Sequence, residues 1–271
     1  MRRINIEGVD LEVACHPGDP HREPLVFLHE GLGSVAMWPQ RGRDWPRELC
    51  ERTGRAGWVY SRRGYGGSDP VPDVRGPSRI EGFWHVGRHE VDYMHREARD
   101  VLPRLLAALD IRRPVLIGHS DGGTIALLHA TQHPVAACVV MAPHVFVEEM
   151  TIQAIDTARQ QYLDHQSPGS LRERLSRYHH DVDNAFWQWN DIWLSESFRS
   201  FDIRQECAAI QAPVLAIQGI DDPYGSLRQV EDIRQHLPAA KLLVLDQCGH
   251  SPHRDQPDRL TDAVAEFLAG V

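Results

Sequence analysis

The chain lacks any pair of cysteines spaced for a shared task. Its five cysteines, Cys15, Cys50, Cys138, Cys207 and Cys248, are scattered over 271 residues with no Cys-x-x-Cys among them. That pattern excludes a dense disulfide framework and argues against a zinc site built on cysteine. Reduced thiols suit the cytoplasm, and a cytoplasmic protein is expected. No window approaches the roughly 18 apolar residues that a membrane helix needs. The opening Met1-Arg2-Arg3-Ile4-Asn5-Ile6-Glu7 turns polar too soon for a secretion signal. Positive charge is also scarce, since 29 Lys and Arg stand against 38 Asp and Glu, a formal net charge of −9. With no basic tract to follow a phosphate backbone, neither nucleic acid nor a membrane is an expected partner. Fixed-period repeats and low-complexity tracts are missing too.

What is present is an ordinary globular composition, 42% hydrophobic and 25% charged, with sixteen histidines as its one oddity. Short apolar runs alternate with helical patterns. Ile4 to Cys15 reads as a hairpin turning at Gly8-Val9-Asp10. Continuous apolar runs follow at Pro24–His29, Trp58–Tyr60, Pro114–Gly118, Ala137–Met141, Pro213–Ile217 and Lys241–Leu245. Because these runs do not alternate, their strands should be covered on both faces, as in a largely parallel sheet. Val91–Leu109, Thr124–Ala130 and Arg259–Leu268 carry apolar residues at helical spacing. The α/β alternation breaks between residues 144 and 210, which are helical in pattern and rich in aromatics. The expected organisation is therefore one core domain, residues 1–143 and 211–271, with a helical cap inserted at 144–210.

The strongest local signal is Gly118-His119-Ser120-Asp121-Gly122-Gly123, directly after an apolar run and before a helical one. Glycines two residues to either side of a serine suit a sharp strand-to-helix turn that lifts the hydroxyl out of the backbone. The helix start would leave the N–H of Asp121 free for a developing oxyanion. A serine hydroxyl needs a base, and the base an orienting carboxylate. Two later loops offer candidates: Asp222 in Gln218-Gly219-Ile220-Asp221-Asp222-Pro223, with Asp221 beside it, and His250 in Cys248-Gly249-His250-Ser251-Pro252-His253, with His253 close by. Each loop follows a strand, the edge at which open α/β sheets bind ligands.

Taken together, these segments resemble the α/β-hydrolase family, in the order nucleophile, acid, histidine. The resemblance spans nearly the whole chain and includes His29-Glu30-Gly31-Leu32-Gly33-Ser34 and Arg63-Gly64-Tyr65-Gly66-Gly67-Ser68. It implies an α/β-hydrolase fold, a mostly parallel central sheet flanked by helices, with no cofactor and no metal. It also implies Ser120 as nucleophile, His250 as general base and acid, and Asp222 as the residue that fixes the imidazole. The family's Gly-x-x-Asp spacing selects Asp222 over Asp221, and its Gly-His pair selects His250 over His253. The second oxyanion donor becomes the N–H of Gly31.

Two residues depart from the family pattern. Glu30 stands where glycine is usual, and a salt bridge or hydrogen bond to Arg62 or Arg63 is expected for it, with a role facing the substrate pocket or tuning His250 as the alternative. Asp121 stands where an apolar residue is usual, and is expected to point away and cap the helix start, with binding of a polar or cationic substrate group as the alternative. Phe186, Trp187, Trp189, Trp193, Phe198 and Phe201 fall in the cap, where Trp187, Trp189 and Trp193 are candidates for an apolar pocket ceiling over a small-molecule substrate. His85 and His89, spaced i, i+4, and His179-His180-Asp181 lack a further ligand and read as packed or solvated. The reading is a serine hydrolase of a small carboxylic ester, lactone or thioester. Its alternatives are hydrolysis of a carbon–carbon bond of the meta-cleavage type and a non-catalytic binding protein on the same fold.

Overall fold

A computed structural model describes residues 1–164 and 168–271. Eight strands form one sheet: β1 (Arg2–Ile6), β2 (Val9–His16), β3 (Leu25–Leu28), β4 (Gly57–Tyr60), β5 (Val115–His119), β6 (Ala137–Met141), β7 (Val214–Gly219) and β8 (Lys241–Leu245). Their spatial order is β1-β2-β4-β3-β5-β6-β7-β8. β1 and β2 pair antiparallel, β2 meets β4 antiparallel, and every later pairing is parallel.

Side chains that alternate along each strand explain the continuous apolar runs. Leu25 and Phe27 of β3 and Val115 and Ile117 of β5 enter one apolar cluster, while Val26, Leu28 and Leu116 enter another on the opposite face. The first cluster is sealed by α1 (Trp45–Thr53), through Trp45 and Leu49, and by the C-terminal helix (Pro257–Leu268), through Leu260, Val264 and Leu268. The opposite face is covered by helix Leu102–Ala108, which a π-type stretch at Glu97–Val101 leads into, and by α2 (Asp121–Ala130). Burying both faces removes most strand side chains from water, at about 25 cal/mol per Å² of apolar surface.

Between β6 and β7 lie helices Glu149–Leu163, Leu171–Leu175 and Val182–Trp193, with short 3-10 turns at Ser197–Ser200 and Glu206–Ala209. Among the described residues this stretch holds no strand, only an isolated bridge from Phe146 to Asp202. Residues 165–167 of the expected insertion lie outside the described residues. Phe186, Trp189, Ile192 and Trp193 join the same apolar cluster as the sheet. His179 ties the stretch to the loops after β3 and β4, its Nδ1 accepting from the Gly66 N–H at 3.0 Å and its Nε2 donating to the Leu32 carbonyl at 2.9 Å. No helix among the described residues is long and apolar enough to cross a membrane.

Candidate active site

β5 ends at His119 and α2 begins at Asp121, leaving a single residue for the turn. That residue, Ser120, sits at φ 54° and ψ −120°, a conformation costly for a side chain with a Cβ and held only where the surroundings over-determine it. Its neighbours explain how. A Cβ on Gly122 would lie 2.1 Å from the Leu28 carbonyl oxygen, and one on Gly118 would lie 2.3 Å from the Gly122 oxygen. The glycines let strand, turn and helix pack at backbone distance.

Asp222 lies in the loop after β7 and His250 in the loop after β8. The Nδ1 of His250 is 2.8 and 3.0 Å from the two carboxylate oxygens of Asp222. Asp222 is also held by Gln218 Nε2 at 2.8 Å and by the Tyr224 N–H at 2.8 Å. Burial opposes its ionisation, yet His250 and the Tyr224 N–H hold its carboxyl below the usual range. Burial likewise disfavours the His250 imidazolium, but the Asp222 carboxylate outweighs it, with help from Glu30 and Asp121, and the imidazole pKa ends above its ordinary 6.5. Asp221 is exposed, and His253 is buried against Trp38 and Trp45.

Ser120 and His250 line one cavity of about 70 Å³ together with Glu30, Gly31, Leu32, Asp121, His144, Ile155, Trp189, Trp193 and Tyr224. Asp121 opens α2, so its N–H is among those without a partner inside the helix. Gly31 lines the same cavity, and a Cβ there would lie 2.2 Å from Trp189 Nε1. On a cavity shared with a serine hydroxyl, an imidazole held by a carboxylate can take the hydroxyl proton, and helix-start and loop N–H groups can stabilise an oxyanion.

Three expectations need correction. The Glu30 carboxylate pairs with Arg254 at 2.9 Å, and Arg62 reaches Glu30 only at its backbone carbonyl. Arg62 spends its guanidinium on the carbonyl oxygens of His29 and Glu30. Burial resists ionisation of Glu30, but Arg254 and the imidazoles of His119 and His250 overcome it and bring its pKa to about 2. Asp121 does not cap α2. It is buried, accepts from the Tyr93 hydroxyl at 2.6 Å, and stands 4.0 Å from Arg62, with burial pushing its carboxyl up. Trp187 is not among the cavity residues; the Arg75 guanidinium lies 3.9 Å from its ring centroid. His85 and His89 are packed, with stacked rings 5.0 Å apart.

Sequence reasoning passed over Tyr93, His144 and Tyr224. His144 follows β6 at the same edge as the other loops, and Tyr224 is two residues beyond Asp222, so position after a strand was the available signal. Tyr93 bears on the site only by donating to Asp121 and accepting from Trp193 Nε1 at 3.0 Å. Among the described residues, the one group of three that could share a cation is Glu30, His119 and His250, whose ligand atoms lie within 4.8 Å of one another.

The sequence model described as the Alpha/beta hydrolase family matches residues 25–263. The sn-1-specific diacylglycerol lipase of Mus musculus is 25% identical over 294 residues, covering 99% of this chain and 88% of its own. Serine hydrolase BPHL of Homo sapiens is 24% identical, covering 98% and 85%. Among solved structures, a thermophilic esterase from Thermogutta terrifontis superposes with a TM-score of 0.71 at 20% identity, covering 100% of this chain and 99% of its own. The enol-lactonase from Burkholderia xenovorans LB400 gives 0.70 at 18%, covering 99% and 100%. At these identities the structural matches speak for the fold.

Proposed function

Because the chain belongs to the α/β-hydrolase family and is a hydrolase, we propose that it cleaves a small carboxylic ester, lactone or thioester through an acyl-enzyme on Ser120. In this reading His250 takes the Ser120 proton as the hydroxyl attacks the carbonyl, then delivers it to the leaving group. Water repeats the sequence and releases the acid. Asp222 fixes the imidazole with Nδ1 protonated, so that Nε2 carries the lone pair. The N–H groups of Gly31 and Asp121 receive the oxyanion, each worth about 3 kcal/mol of transition-state stabilisation.

The observation that carries this reading is the convergence of three strand-end loops on one cavity, with the Asp222–His250 bond at 2.8 Å and Ser120 held in a strained turn. Residues 144–210 act as the cap, and their Ile155, Trp189 and Trp193 form the apolar side of the cavity. The cavity encloses only about 70 Å³, well short of a usual ligand pocket, which favours a compact substrate. The test is a panel of short esters, lactones, thioesters and vinylogous diketones given to the wild type and to Ser120→Ala. Turnover of the acyl substrates that vanishes in the variant supports the reading. Turnover of the diketones alone replaces it with carbon–carbon hydrolysis, and no turnover at all rejects it.

A further inference from the structure

We propose that Glu30, His119 and His250 form a binding site for a borderline divalent cation such as Zn²⁺, and that its occupancy switches the hydrolase off. The switching half rests on His250 being the base for Ser120; the binding half does not.

The Nε2 of His119 lies 2.6 Å from the carbonyl oxygen of His250. A carbonyl only accepts, so Nε2 carries the hydrogen and Nδ1 presents a lone pair. That Nδ1 faces Glu30 Oε2 at 4.0 Å, an acceptor opposite an acceptor. On His250 the hydrogen is at Nδ1, bonded to Asp222, which leaves Nε2 as the lone pair of the neutral ring. Glu30 gives its Oε1 to Arg254 and keeps Oε2. Each of the three residues thus keeps one lone-pair atom free for a cation, and one ligand atom from each lies within 4.8 Å of the other two.

This is the arrangement a metal-binding histidine requires, with the far ring nitrogen donating to a carbonyl or carboxylate that fixes tautomer and orientation. Both imidazoles meet it before any metal arrives. In a tetrahedral zinc site with bonds of about 2.0–2.2 Å, ligand atoms stand about 3.3–3.5 Å apart, so closing the site takes side-chain shifts of about 1 Å. Two nitrogens and one carboxylate oxygen suit Zn²⁺ or Cu²⁺, whereas Mg²⁺ and Ca²⁺ prefer oxygen ligands. The cation takes the electron pair of His250 Nε2, the same pair that accepts the Ser120 proton. Metal binding and proton transfer are thus mutually exclusive.

Binding is tested by titrating Zn²⁺ calorimetrically into the Ser120→Ala protein, which keeps all three ligands. One ion should bind per chain, and adding Glu30→Gln or His119→Gln should weaken it by about 10-fold to 100-fold. His119 is buried, so if that variant fails to fold, Glu30→Gln carries the comparison. Switching is tested on the wild type, whose ester turnover should fall with Zn²⁺, return with EDTA and ignore Mg²⁺. The Glu30→Gln enzyme, measured against its own metal-free rate, should need at least tenfold more Zn²⁺. Equal Zn²⁺ affinity with and without the Glu30 carboxylate, or equal response to Mg²⁺, overturns the proposal. Tight, Glu30-dependent binding to a protein with no ester activity upholds the site and removes the hydrolase reading instead.

Discussion

Arg254 holds the carboxylate of Glu30 at 2.9 Å across 224 positions of sequence, joining the loop after β3 to the short helix after β8. The pair fixes a negative charge beside His119 and His250. Of the groups that favour the His250 imidazolium against its burial, Asp222 is the largest and Glu30 the next residue.

A pH profile should register this. In the proposed role His250 must be neutral to take a proton, and its pKa lies above the ordinary 6.5. The acid limb of kcat/KM should therefore fall above pH 6.5, with activity lost as pH drops through it. Removing the Glu30 charge withdraws support for the imidazolium, so Glu30→Gln should move the limb to lower pH. A limb that stays in place or moves upward contradicts the assigned electrostatics.

Asp222→Asn should lower kcat by about 10⁴ while leaving the fold intact, because an amide cannot hold the required tautomer. The exposed neighbour offers the control. Asp221→Asn should stay close to wild type, and steady-state kinetics on one short ester compares the two.

Gly122→Ala tests the turn. The added Cβ would lie 2.1 Å from the Leu28 oxygen, a backbone atom that cannot swing aside, and overpacking of this kind costs about 1–3 kcal/mol. Urea denaturation should show a lower midpoint with an unchanged slope.

Tyr93→Phe removes a hydroxyl that donates to Asp121 and accepts from Trp193. It strands a buried carboxylate oxygen and an indole N–H, and each orphaned group costs about 1–3 kcal/mol. Loss of stability in denaturant melts checks this, and stability equal to wild type contradicts it.

The sheet was legible because strands buried on both faces leave unbroken apolar runs, and β3, β5 and β6 are wholly buried. The residues now grouped at the site stood out for a related reason, since each chemical loop follows such a run. Helix Trp45–Thr53 went unread although Asp44, Pro46 and Gly54 mark its ends. Helix Arg228–His236 was also missed; no side chain caps its start. What local pattern cannot carry is pairing at a distance. Nothing near Glu30 points to Arg254, and the helix-start rule for Asp121 lost to a tyrosine 28 residues upstream. Aromatic content grouped Trp187 with Trp189 and Trp193 in the cap, but on helix Val182–Trp193 the i, i+4 pair Trp189 and Trp193 shares a face that Trp187, two residues from Trp189, does not.

The central claim, that Ser120 is the nucleophile, is tested most directly by fluorophosphonate labelling with peptide mapping, run beside ester turnover. The account predicts one label per chain, on Ser120, and a loss of about 10⁶ in kcat for Ser120→Ala. An unlabelled Ser120, or a Ser120→Ala protein that still turns over the ester at a comparable rate, would contradict it.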